Sequence, residues 1–183
     1  MLRGTSLLIF SIRALVLVIL VPLLWLTVAG RYNEALVAAA GGLIPDGVSL
    51  AVLRTHILIG YGSAGRLFSV DGLTLHSELV LMTVLVLAAV GIGPLSRVGW
   101  LAGLALAGFL LHVAGVALLA WGVLWAASGG SPEGAGELVL RLFAIFWGLL
   151  PALAGGAWAY FYWLPRAAAG RPQGRSASST SAV

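Results

Sequence analysis

The sequence predicts an all-α membrane protein of four transmembrane helices. Both termini would be cytoplasmic, and a small extracytoplasmic helix plus a three-strand β-meander would lie between helices 1 and 2. Three observations predict this. The 183 residues are 61% hydrophobic and only 9% charged, with a mean hydropathy of +1.07, whereas soluble domains carry about 25% charged residues. Four runs are long enough to cross a hydrocarbon core, which takes roughly 17–25 apolar residues in a helix. The charges also separate by sign across those runs. Each run must be helical, because a lone strand in lipid leaves its backbone groups unpaired.

The first run is Ala14–Ala29, extended by Leu7–Ile12 past Arg13. It also fits the h-region of a signal peptide with Met1–Arg13 as the basic n-region, but no A-x-A cleavage site follows, which favours an uncleaved helix. The second run is Leu79–Leu95, the third Trp100–Ala127 and the fourth Leu138–Leu164. The chain divides accordingly into residues 1–30 (N-terminus and first span), 31–77 (outer insertion), 78–96 (second span), 97–127 (cytoplasmic turn and third span), 128–137 (outer loop), 138–165 (fourth span) and a disordered cytoplasmic tail, 166–183. That tail is small, polar and rich in Pro, Gly and Ser.

Arg3, Arg13, Arg97, Arg166, Arg171 and Arg175 fall on one side of the four spans. Glu34, Asp46, Asp71, Glu78, Glu133 and Glu137 fall on the other, with Arg31, Arg54, Arg66 and Arg141. An excess of positive charge marks the cytoplasmic face. Trp25, Trp121 and Trp125 sit at outer ends of the spans, and Trp100 with Trp158, Tyr160, Phe161, Tyr162 and Trp163 at inner ends, as interfacial belts do. The scattered arginines do not suggest nucleic acid. With no Cys, a thiolate nucleophile, a CxxC pair and a Cys-ligated metal are excluded.

Within the insertion, Tyr32–Leu43 reads as helix, lying on the membrane or continuing the first span, and ends at Gly41-Gly42 before the turn Pro45-Asp46-Gly47. Three strand-like runs follow: Leu50–Ile59, Arg66–Val70 and Leu73–Ser77, with Asp71-Gly72 as a two-residue hairpin signal. Gly60, Gly62 and Gly65 have the G-x-G-x-x-G spacing of a dinucleotide-binding loop. That fingerprint needs a helix directly after the glycines to meet the pyrophosphate. Here RLFSVDGLTL follows, which reads as strand, turn, strand, so the glycines are expected to reverse the chain between strands and no nucleotide is expected. Ser63 lacks a glycine two residues before it, so there is no nucleophile elbow.

Candidate functional residues are few. His112 lies near the middle of the third span, where an ionisable residue is costly. It reads either as a hydrogen bond across a helix interface or as part of a proton path or ligand site. No second His stands at i+4, so a metal pair is not supported there. Glu137 and Arg141 are one turn apart at the outer start of the fourth span and suit a local ion pair, or Arg141 faces an anionic lipid or a partner's carboxylate. Arg54 and His56 alternate along the first expected strand, sharing a face with Val52 and Leu58 that is either solvated or a partner-binding edge. Gly103 and Ala107 form a small-xxx-small pair for helix packing, Gly155-Gly156 loosens the fourth span, and Pro22 and Pro151 sit mid-span. No catalytic, cofactor or metal constellation emerges from these residues.

One helix, an outer insertion of helix and short strands, then three closely linked spans: this layout resembles the small integral membrane proteins associated with exosortase-type protein sorting in Gram-negative bacteria. RYNEALVAAAGGLIP after the first span, the run through LTLHSELV into the second, and the spans up to Pro165 carry the resemblance. It implies an inner-membrane, multi-pass accessory or scaffold subunit, without catalysis of its own, that docks on a membrane protein partner such as an exosortase-type enzyme. No functional residue carries over. The other class open to the sequence is a membrane enzyme or carrier for a lipid or small ion, using His112 and Arg141.

Overall fold

The computed structural model describes residues 4–62, 66–127, 147, 149–150 and 153–165. Helix α1 spans Gly4–Ala40 without a break, running through Pro22, so Tyr32–Ala40 continues the first span. At 1.5 Å per residue it is about 55 Å long, well beyond the hydrocarbon thickness of about 30 Å. Strands β1 (Val48–Leu53), β2 (His56–Tyr61) and β3 (Arg66–Asp71) follow, then the one-turn helix α2 (Gly72–Leu75), α3 (Ser77–Ala88) and α4 (Pro94–Ala127). Two helices, Leu7–Ala40 and Pro94–Trp125, are long and apolar enough to cross a membrane.

The strands form one antiparallel meander in the order β1-β2-β3. The meander was expected; its strand boundaries differ. Leu50–Ile59 is not one strand but two arms of a hairpin, closing at Arg54-Thr55 with Leu53 opposite His56. Arg54 makes that turn with φ of 57°, a left-handed conformation that β-branched and long side chains adopt rarely. Arg54 and His56 therefore do not share a strand face. Asp71-Gly72 is not a hairpin either, and Leu73–Ser77 is not a strand, because Gly72 opens α2. The Gly72 N–H donates to the Thr55 carbonyl at 2.8 Å, and a Cβ there would stand 2.5 Å from both that carbonyl and Asn33 Nδ2. Gly72 is required by this close approach. Gly62, at φ +66°, begins the reversal between Tyr61 and Arg66, so the glycine-spaced stretch joins two strands, as expected.

The second expected span, Leu79–Leu95, is also not continuous. Helix α3 is 12 residues, about 18 Å. It stops at Ala88, and Gly91, at φ +84°, turns the chain into α4. Pro94 is the first residue of α4, where its fixed φ suits a helix start and its missing N–H is not needed. Gly-Ile-Gly-Pro is thus a helix-to-helix turn.

Helices α1 and α4 run in the same direction and α3 runs against both. Near the sheet, Leu36 and Ala40 of α1 pack with Val113 and Val116 of α4, Ile57 of β2, Leu75 and Trp147. At the far end, Met82, Val86, Ala89 and Ile92 pack with Phe10, Trp100, Trp158 and Trp163. Val48 and Ile59 seat the sheet on Leu119 and Ala120 of α4. The tight helix crossing is Gly108, where a Cβ would meet Leu79 at 2.3 Å. Gly103 and Ala107 are exposed instead and pack against nothing described. Gly155 lies against Leu85 and Met82. Trp147 and Trp163 touch opposite ends of α3: the Trp147 indole donates to Leu75 O and that of Trp163 to Val90 O, each at 3.0 Å. Residues 159–163 form a π-helical stretch. Glu137, Arg141, Pro151 and the tail lie outside the described residues.

Candidate functional site

His112 is not alone. The three helices converge at its level, each contributing polar groups. Tyr32 of α1 places its hydroxyl 2.8 Å from His112 Nδ1, and Glu78, in the first turn of α3, hydrogen-bonds His112 Nε2 through Oε1. His112 is fully buried and Glu78 nearly so. His76, at the turn between α2 and α3, is also fully buried. Its ring lies 5.0 Å from the His112 ring and 4.7 Å edge-on from Tyr32. Trp25 closes one side, with its ring 5.6 Å from His76, and Trp147 another, with its ring 5.3 Å from His112. Asn33 ties the cluster to the sheet by donating to Thr55 O at 3.0 Å.

The cluster is incompletely satisfied. Both ring nitrogens of His76, Glu78 Oε2, Asn33 Oδ1 and Trp25 Nε1 are buried without a hydrogen-bond partner among the described residues. An unpaired buried polar group costs about 1–3 kcal/mol, so the arrangement is poor as packing alone. Burial, then the neighbouring His112, pushes the His76 imidazole down to about 3, with Asp71 opposing. His76 is therefore a neutral ring, one nitrogen a donor and the other an acceptor.

The Tyr32–His112–Glu78 chain has three consistent proton placements, one of them an imidazolium that donates from Nε2 to the Glu78 carboxylate and from Nδ1 to the Tyr32 oxygen. With Glu78 ionised and the ring neutral, Nε2–H donates to the carboxylate and the Tyr32 hydroxyl donates to Nδ1. With Glu78 protonated, its O–H donates to Nε2, Nδ1–H donates to the Tyr32 oxygen, and the Tyr32 proton must find another acceptor. A proton added on the carboxyl reverses both bonds, and one added on the imidazole reverses only the bond to Tyr32. No group of three or more His, Asp or Glu side chains is arranged to hold a metal ion among the described residues.

Of the candidate residues singled out from sequence that the structure describes, His112 belongs to this site and Arg54 and His56 do not. Arg54 and His56 sit at the exposed β1–β2 hairpin, where His56 Nδ1 lies 3.4 Å from Ser69 Oγ. In the sequence Tyr32 reads only as the start of an expected helix, His76 as part of an expected strand and Glu78 as one of the outer acids. Compared with known protein families, curated proteins and solved structures, the chain matches none. The functional reading rests on the geometry.

Proposed function

We propose that this chain is a multi-pass protein of the bacterial inner membrane, crossing it with α1 and α4. We further propose that its working part is the Tyr32–His112–Glu78 chain, an acid–base site for a lipid or small ion. The observation that carries this reading is a fully buried His112 bridging a phenol and a carboxylate from two other helices. Ionisable groups at such depth are expensive and face functional cavities or relays. The companions of His112 are then Glu78 and Tyr32, and Arg141 is not needed. The test is His112→Gln expressed in a strain deleted for the gene. The deletion defect should persist while the membrane level of the chain stays normal. Full rescue would refute the reading.

A second reading, a non-enzymatic accessory subunit such as one serving exosortase-type sorting, is favoured by one feature. Among the described residues the outer edges of β1 and β3 pair with no further strand, and such edges accept a partner's strand. Purification from native membranes in mild detergent would then recover a stoichiometric partner, lost on Leu53→Asp or Arg54→Glu at the hairpin. Recovery of the chain alone would count against it.

A further inference from the structure

A slot of about 410 Å³ runs between α1 and α3 beside the polar cluster. Pro22, Trp25 and Leu26 line it from α1, and Ser77, Leu81 and Val84 from α3. On each helix the lining positions fall at i, i+3/i+4 and i+7/i+8, a single stripe along one face. Two facing stripes make a straight slot parallel to the helices, about 10–12 Å long by helical rise. The most apolar stretch of α1 has none of its residues buried, so the slot opens sideways to whatever surrounds the bundle. Its lining is hydrocarbon except at the end toward the sheet. There Trp25 carries a buried Nε1–H with no acceptor among the described residues, and its ring abuts His76, whose two ring nitrogens also lack partners.

We propose that this slot holds one acyl chain of a membrane phospholipid, with the ester carbonyl at Trp25. This rests on the acid–base reading only in making that lipid the molecule presented to the site; the slot stands on its own lining. A straight apolar channel fits an extended, unbranched chain lying along the helices, the direction lipid chains take. Indole N–H groups serve where an apolar body meets a polar level. The carbonyl accepts from Trp25 Nε1.

The experiment uses the full chain, purified in mild detergent and in vesicles of phosphatidylethanolamine and phosphatidylglycerol. Native mass spectrometry should find one phospholipid retained per chain after delipidation. A photoreactive group within the acyl chain should label Leu81 and Val84 in preference to Leu15 and Leu24, which are exposed outside the slot. Val18→Trp and Leu81→Trp fill the slot from exposed positions, so folding should persist while retention falls about tenfold, a loss of about 1.4 kcal/mol. Trp25→Phe keeps the ring, removes the donor and should weaken retention. Labelling spread evenly over the exposed apolar residues, retention indifferent to the filling variants, or a retained isoprenoid in place of phospholipid would overturn the proposal. If phospholipid is retained at the slot but His112→Gln fully rescues the deletion strain, the acid–base reading falls and the slot stands.

Discussion

The two ends of α3 meet the same neighbours, α1 and α4, in opposite ways. At the end away from the sheet, called the inner end in contrast to the outer end beside the sheet, the contact is apolar and aromatic: Met82, Val86 and Ile92 against Trp158 and Trp163, with Phe10 stacked on Trp163 at 4.7 Å. Polar atoms serve there to cap a broken backbone. Arg97 Nη2 donates to Ala89 O at 2.6 Å and Trp163 Nε1 to Val90 O at 3.0 Å, meeting carbonyls that the end of α3 and the turn leave open. At the outer end the same helices bury Tyr32, His76, Glu78 and His112 and leave several of their atoms unpaired. Among the described residues two buried atoms lack a partner at the inner end, Arg97 Nε and Trp158 Nε1, against five in the outer cluster, so the outer end is the more polar and the less satisfied of the two. That excess is the physical ground for placing function at the outer end.

The comparison can be broken or sharpened by substitution. The largest effect should come from His112→Ala, which orphans both the Tyr32 hydroxyl and Glu78 Oε1 and leaves a cavity. It should destabilise the chain by about 3–5 kcal/mol, read as thermal unfolding in detergent. A smaller loss would mean the outer cluster is loosely held. Next comes acidity. His76 is held near 3 in the folded chain against 6.5 when unfolded. Between those values the unfolded state binds the extra proton, so stability falls as pH falls below 6.5. At pH 5 the loss relative to pH 8 should be about 2 kcal/mol, and His76→Gln should remove that part of the slope. A slope unchanged in His76→Gln would assign the acid sensitivity elsewhere. At the inner end Trp163→Phe removes one hydrogen bond from an otherwise apolar contact and should cost about 1 kcal/mol, with no change in the pH slope. The smallest effect lies outside both ends. Arg54→Gly relieves the left-handed turn and should stabilise by about 0.5–1 kcal/mol, seen as a modest rise in the melting temperature.

How much of this was legible in the sequence varies with range. The apolar runs, the helical character of Tyr32–Ala40 and the existence of a meander follow from local pattern, while the continuation of the first helix through that segment was one of two readings and is settled by the unbroken α1. The hairpin at Arg54-Thr55 was hidden because neither residue is a usual left-handed turn former, so Leu50–Ile59 read as one strand. Gly72 signalled a turn, but the reason for the glycine is Asn33, nearly forty positions earlier in the chain and in contact only after folding. The α3–α4 turn was visible as Gly91-Ile92-Gly93-Pro94 and was masked by the hydropathy around it. The site was the least legible part. His112 stood out because it interrupts an apolar helix. Glu78 did not, because an acid in the first turn of a helix is ordinary. Tyr32 and His76 are likewise ordinary where they stand, and only the convergence of α1, α3 and α4 joins all four.

The most direct test of the claim that this outer cluster is a site and not packing is Glu78→Gln. The amide keeps the shape of the side chain and an acceptor oxygen for His112 Nε2, puts an NH2 in place of the other oxygen and removes the acid. Rescue of a deletion strain should be measured alongside the melting temperature of the purified variant. The account predicts a folded chain, melting close to the wild type, that fails to rescue. A folded variant that rescues fully would contradict it and make the Tyr32–His112–Glu78 chain a structural element of the bundle.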